Sequence, residues 1–154
     1  MQRSINIFDK LGSLIPGYKG YAERNNRRQS EKLLRDKLSQ VIYSCEKVMS
    51  NKIAESIKIK NYIPISELEE SRKKLNTLGD KIQYAPYGES AFFSNEQLKE
   101  DELLNIYQND FAILEKFNDF YKEIPNLDTI TVLKKIGELE KSFTDRNNYI
   151  MEFK

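Results

Sequence analysis

Apolar residues recur every three or four positions along most of the chain, the period of a helix that buries one face. Ile5, Phe8, Leu11 and Ile15 share a face in the first segment, which predicts a short helix or docked arm over 1–16. Pro16-Gly17 breaks it. From Tyr18 to Ile59 only Gly20 interrupts, and Leu34, Leu38, Val41, Cys45 and Val48 step alternately by four and three, a heptad-like seam widened by Ile42, Met49 and Ile53. This spacing predicts one helix over 18–59, about 60 Å long. Ser66 with Glu69, just after Pro64, reads as a capping box opening a helix over 66–85 through Leu68, Leu75, Leu78 and Ile82. Ser94 with Gln97 reads as another, opening an aromatic and acidic helix over 95–123 that Pro125 stops. Val132, Ile136, Leu139 and Phe143 predict a last helix over 128–146. Ile57 to Ile65 alternates apolar and polar residues and is the one stretch that reads as an alternative strand.

These elements predict a single all-α domain over 1–154, an antiparallel three- to four-helix bundle with one long helix on its N-terminal side. Composition narrows the chemistry. The 154 residues include no histidine, no tryptophan and one cysteine. Imidazole acid–base catalysis, Ser-His and Cys-His nucleophiles, most zinc sites and an internal disulfide are therefore excluded. Cys45 sits on the apolar seam and reads as a small core residue. Glu100, Asp101 and Glu102 are consecutive, so on a helix they point apart and favour its N-terminal dipole rather than one metal. No phosphate-binding glycine pattern is present. The expectation is a protein that is not an enzyme and takes no cofactor. No stretch is apolar enough to span a bilayer and no export signal is legible, which together favour the cytoplasm.

Net charge is +1 but unevenly placed: residues 1–60 hold 13 basic and 6 acidic side chains, a surplus of seven. Arg24, Arg28, Lys32 and Arg35 share one helical face. No apolar residue lies between Glu23 and Lys32, so this turn reads as exposed, laced by Glu23–Arg27 and Glu31–Arg35 pairs or facing an anionic partner. It lacks interleaved aromatic residues and the overall charge is near neutral, so nucleic acid is not an expected partner. Tyr84, Tyr87, Phe92 and Phe93 crowd a connection that would ordinarily be polar. They need either an internal dock, for which Tyr18 and Tyr21 are natural neighbours, or an external partner.

Ile15-Pro-Gly-Tyr-Lys-Gly-Tyr21, followed by Arg27-Arg28 and Lys32-Leu-Leu-Arg35, together with Tyr84-Ala-Pro-Tyr-Gly-Glu-Ser-Ala-Phe-Phe93 and Glu102-Leu-Leu-Asn-Ile-Tyr107, resembles a group of bacterial and archaeal helical proteins. The resemblance covers residues 8–120, implies a helical fold and carries no activity. It suggests that the two aromatic segments and the basic turn form one feature. The candidate interaction residues are therefore Tyr18, Tyr21, Arg24, Arg28, Lys32, Arg35, Tyr84, Tyr87, Phe92 and Phe93. The expected function is a non-enzymatic interaction or assembly module with an unidentified protein partner. The alternatives are a peripheral protein held on a membrane surface by the N-terminal arm and basic turn, and a small-molecule binder at the aromatic connection. The length of the 18–59 helix against its shorter neighbours further suggests a homodimer.

Overall fold

A computed structural model describes residues 2–86, 90–94 and 97–153, with side chains from Ile7 onward. Among these residues there are helices and no strands. Helix α1 spans Gln2–Leu14, α2 Arg24–Lys58, α3 Ile65–Tyr84, the single turn α4 Ala91–Ser94, α5 Glu100–Glu123 and α6 Thr129–Met151, with a 3₁₀ turn at Ile124–Asn126 before α6. The all-α bundle expected from periodicity is what forms.

Four helices, α2, α3, α5 and α6, make the bundle. Cross-links fix their directions. Tyr43 of α2 meets Asp80 and Gln83 of α3, and Glu46 meets Arg72 (3.2 Å), so α2 and α3 are an antiparallel hairpin. Asp110 of α5 meets Arg146 of α6 (2.7 Å) and Lys116 meets Ser142 (3.1 Å), again antiparallel. Glu67 of α3 accepts from Thr129 at the start of α6 (2.7 Å), which sets the two hairpins side by side. One end of the bundle therefore gathers the α2–α3 turn and the α5–α6 turn. The other gathers the start of α2, α4 and the end of α6.

The seam on α2 is buried along its length: Leu34, Leu38, Ile42, Cys45 and Met49 have no exposed surface. Each large apolar side chain buried this way is worth about 1.5–3 kcal/mol. α3 covers the C-terminal half of the seam, and Gly79 lets it approach closely, since a Cβ there would lie 2.6 Å from the Tyr43 ring. α5 runs alongside as well, from the shared Arg146 contact of Glu31 and Asp110 to Lys52, which donates to the Ile124 carbonyl (3.4 Å), so α3 and α5 flank the seam side by side within one chain.

Several boundaries differ from expectation, each for a local reason. The long helix starts at Arg24 rather than Tyr18, because Gly17 and Gly20 take positive φ values of 83° and 79° and turn the chain. Pro64 (φ −81°) precedes α3, so Ser66 lies inside the helix and does not cap it; Glu69 accepts from Arg72 Nε instead (3.0 Å). Ser94 closes α4, and α5 begins at Glu100, where the Glu102 carboxylate accepts from the Lys99 amide (2.8 Å). Asp128 caps α6 by accepting from the Thr131 amide (2.7 Å), and α6 runs to Met151, beyond the expected 146. Ile57–Ile65 is helix end and turn rather than strand.

Candidate functional site

The expected interaction residues divide into an interior group and an exterior one. Tyr18, Tyr21, Arg35, Phe92 and Phe93 are buried; Arg24, Arg28, Lys32 and Tyr84 are exposed; Tyr87 lies outside the described residues. Phe92 docks edge-on against Tyr21 (centroids 5.1 Å), Tyr21 stacks on Tyr107 (5.7 Å), and Tyr18 meets Tyr21 edge-on (5.8 Å). The aromatic connection thus packs onto the Tyr18–Tyr21 segment. Phe153, from the tail of the chain, closes over Phe92 (5.9 Å). Tyr84 departs from this picture: it is 75% exposed at the last turn of α3 and does not join the cluster.

The basic turn corrects a firmer expectation. A helical turn with no apolar residue was expected to face solvent, yet Arg27, Ser30 and Glu31 are buried, as is Arg35. Their charged groups are engaged with partners inside the molecule. Arg27 donates through Nε to the Tyr21 carbonyl (2.8 Å) and through Nη1 to the Phe92 carbonyl (3.2 Å), tying the two aromatic segments together. Arg35 donates to the carbonyl of Ala85 and to Asn147 Oδ1 (2.8 Å), and its Nε lies 2.7 Å from Glu31 Oε2. Arg146 of α6 then bridges two carboxylates. Its Nε donates to Asp110 Oδ1 (2.7 Å), its Nη1 donates to Glu31 Oε1, and its Nη2 reaches the Tyr21 hydroxyl (3.3 Å). The Tyr21 hydroxyl in turn donates to Asp110 Oδ2 (2.6 Å), and the Tyr21 amide donates to the Tyr107 hydroxyl (2.9 Å).

This latch joins α2, α5, α6, α4 and the Tyr18–Tyr21 segment through charge-assisted bonds between buried side chains. Burial pushes the Asp110 carboxyl up, against the opposing pull of Arg146 and the Tyr21 hydroxyl. Burial, with Asp110 beside it, pushes the Tyr21 phenol well above its ordinary value. A buried ionic network adds little net stability over an apolar equivalent, but removing one member strands the rest. Its effect here is to specify which helix ends meet.

Glu31, Asp110 and Arg146 were not among the expected site residues. A signal was present. The α2 seam, run backward from Leu38 and Leu34 in the same steps of four and three, falls on Glu31 and Arg27. Asp110 lies in step with Tyr107, Leu114 and Phe117, and Arg146 with Phe143 and Ile150. A charged side chain in a buried register on three helices marks an internal ionic contact.

Outside the latch, Arg24, Arg28 and Lys32 form a basic edge. Arg28 rests on the Phe93 ring (4.6 Å) and Lys32 pairs with Asp36 (3.2 Å). The N-terminal arm turns its apolar face inward: Leu11 and Ile15 are buried, and Phe8 packs on Tyr18 (6.0 Å) and Tyr107 (5.5 Å). Membrane contact through that face requires the arm to undock. Cys45 is fully buried, and burial pushes its thiol up to about 12, far from a nucleophile's range. Among the described residues no three acidic or cysteine side chains converge as metal ligands, and no helix is long and apolar enough to cross a membrane.

Large apolar side chains are left open at both ends of the bundle, Tyr84, Tyr149 and Met151 toward the latch and a larger group at the hairpin end. At the α2–α3 turn Ile57 is 52%, Ile59 61%, Tyr62 60% and Ile63 91% exposed, and Ile130, at the neighbouring start of α6, is 79% exposed. The turn is built by local backbone geometry. The Ile59 amide donates to the Glu55 carbonyl (3.0 Å) and the Asn61 amide reaches back to the Ser56 carbonyl (2.9 Å). Lys60 takes the left-handed φ of 59° that ends many helices and that glycine ordinarily supplies. Comparison with protein-family models, with curated proteins and with solved structures finds no match to this chain.

Proposed function

We propose that this chain is a non-enzymatic, cytoplasmic helical interaction module whose working surface is the hairpin end of the bundle. The observation that carries the reading is the cluster Ile57, Ile59, Tyr62 and Ile63, four large apolar side chains open to water on one short turn. Scattered exposed apolar residues are ordinary in a water-soluble protein, but a contiguous group marks a surface that something covers. The ionisable groups of the interior support the same reading, since Glu31, Asp110 and Arg146 are engaged with one another and Cys45 is sealed. The latch holds the far end of the bundle together, and the long α2–α3 hairpin carries the apolar turn away from it.

The test is a photo-crosslinking amino acid placed at Ile63, with Gln108 on the exposed face of α5 as the comparison, irradiated in cells and analysed by mass for protein and lipid adducts. The expected result is adducts at position 63 well above those at position 108. Equal labelling at the two positions, or none, overturns the reading.

A further inference from the structure

We infer that the α2–α3 turn seats in the interfacial layer of an anionic lipid surface. The inference rests on the hairpin end being the working surface and names what covers it. Three features of the turn select lipid over a folded protein. The first is extent: a stable protein–protein interface takes about 20–30 residues a side, whereas the open apolar group here is four side chains on one turn with Ile130 beside it. A soft interface accepts such an outward-facing group without a matching pocket, and its affinity scales with the apolar area buried plus the attraction of anionic lipid. The second is side-chain type. Ile57, Ile59 and Ile63 supply hydrocarbon, while Tyr62 supplies an amphipathic ring of the kind enriched at headgroup level.

The third is charge. Residues 56–66 contain Lys58 and Lys60 and no acidic residue. The two lysines interleave with the isoleucines in Ile57-Lys-Ile-Lys60, so their ammonium groups can stay at headgroup level while the neighbouring side chains enter. Of the acids that follow on α3, Glu69 accepts from Arg72 and Glu70 lies 3.7 Å from Lys74, while Glu67 accepts from the neutral Thr129 hydroxyl and keeps its charge. Glu55, one turn before Ile59, is exposed and borders the turn. The left-handed backbone at Lys60 turns the chain so that Ile59 and Ile63 flank a single tip.

The test is flotation of the full chain with phosphatidylcholine vesicles containing about 30% phosphatidylserine, against phosphatidylcholine alone. Wild type is expected to float with the anionic vesicles and to partition at least ten-fold less onto the neutral ones, with binding that falls as salt rises (~ten-fold, order of magnitude). Ile59→Ser with Ile63→Ser, and separately Lys58→Glu with Lys60→Glu, are each expected to lower binding about ten-fold. Both pairs alter exposed side chains, so an unchanged circular dichroism spectrum confirms that the fold is kept. Arg24→Gln with Arg28→Gln and Lys32→Gln, on the basic edge at the opposite end, is expected to bind as wild type does. Failure of wild type to float, full binding by either turn variant, or loss of binding only in the basic-edge variant overturns the inference. Should vesicles fail while the crosslinker at position 63 captures a protein, the lipid assignment falls and the working surface stands. Should neither bind, both fall.

Discussion

Arg146 touches two carboxylates and a phenol from three separate segments, and its surroundings decide what its loss would cost. Arg146→Ala leaves Glu31 and Asp110 buried with the bridging cation gone, which is expected to cost about 3–5 kcal/mol in chemical denaturation. The triple change Arg146→Met, Glu31→Gln and Asp110→Asn removes the charges together and is expected to recover much of that loss, because no uncompensated ion stays inside. If the triple variant is no more stable than Arg146→Ala, the charges are not the reason the single change is costly. At this scale the sequence was half legible. Cys45, Leu34 and Leu38 were placed inside because an apolar side chain in a helical register has one reading. Arg27, Glu31 and Arg35 were placed outside because composition was weighed ahead of register. Burial of a charge depends on partners more than a hundred residues away, as with Glu31 and Arg146, and a local pattern does not display them.

At the scale of elements, periodicity located every long helix, and the misplaced starts lie where glycine, proline or a side-chain cap decides, while α6 simply runs on past 146 to Met151. The Tyr18–Ala22 bend is the clearest case. Gly20 has a positive φ, and a Cβ there would lie 2.5 Å from both Phe8 Cε2 and the Tyr107 hydroxyl. The bend therefore needs glycine twice over, for conformation and for the approach of α1 and α5. Gly20→Ala is expected to lower stability by about 1–3 kcal/mol. Gly137 supplies the contrast, since it is exposed within α6 and a Cβ there would meet nothing within 4 Å. Gly137→Ala is expected to raise stability by roughly 0.5–1 kcal/mol through helix propensity alone. Thermal melts of the two variants check the pair, and the same sign of change in both would contradict this account of the bend. The aromatic connection was legible as something that must be covered. That Phe92 packs on Tyr21 followed from Tyr18 and Tyr21 being natural neighbours of the connection, whereas the outward Tyr84 did not follow from any pattern.

For the whole molecule, the surplus of seven positive charges over residues 1–60 leaves the remainder acidic, and a simple pairing of the two would set cations of the first against anions of the second. Among the described residues, Glu31 with Arg146 and Glu46 with Arg72 cross between the halves and take their cation from the acidic second half. Length does not require a second chain. At 35 residues α2 is about 52 Å long, longer than α3 at 20 or α5 at 24, but α3 and α5 flank it from two sides and α4 packs beside its start. Leu34 and Leu38 near one end and Met49 toward the other are all without exposed surface inside a single chain. The open apolar group at the hairpin tip is too small for the standard two-fold interface. The expected outcome in light scattering across a dilution series is a mass near 18.1 kDa throughout. A concentration-dependent doubling that persists in Ile59→Ser with Ile63→Ser would show a pairing surface elsewhere on the bundle. A doubling abolished by that variant would make the tip a self-association contact and compete with lipid for the same four side chains.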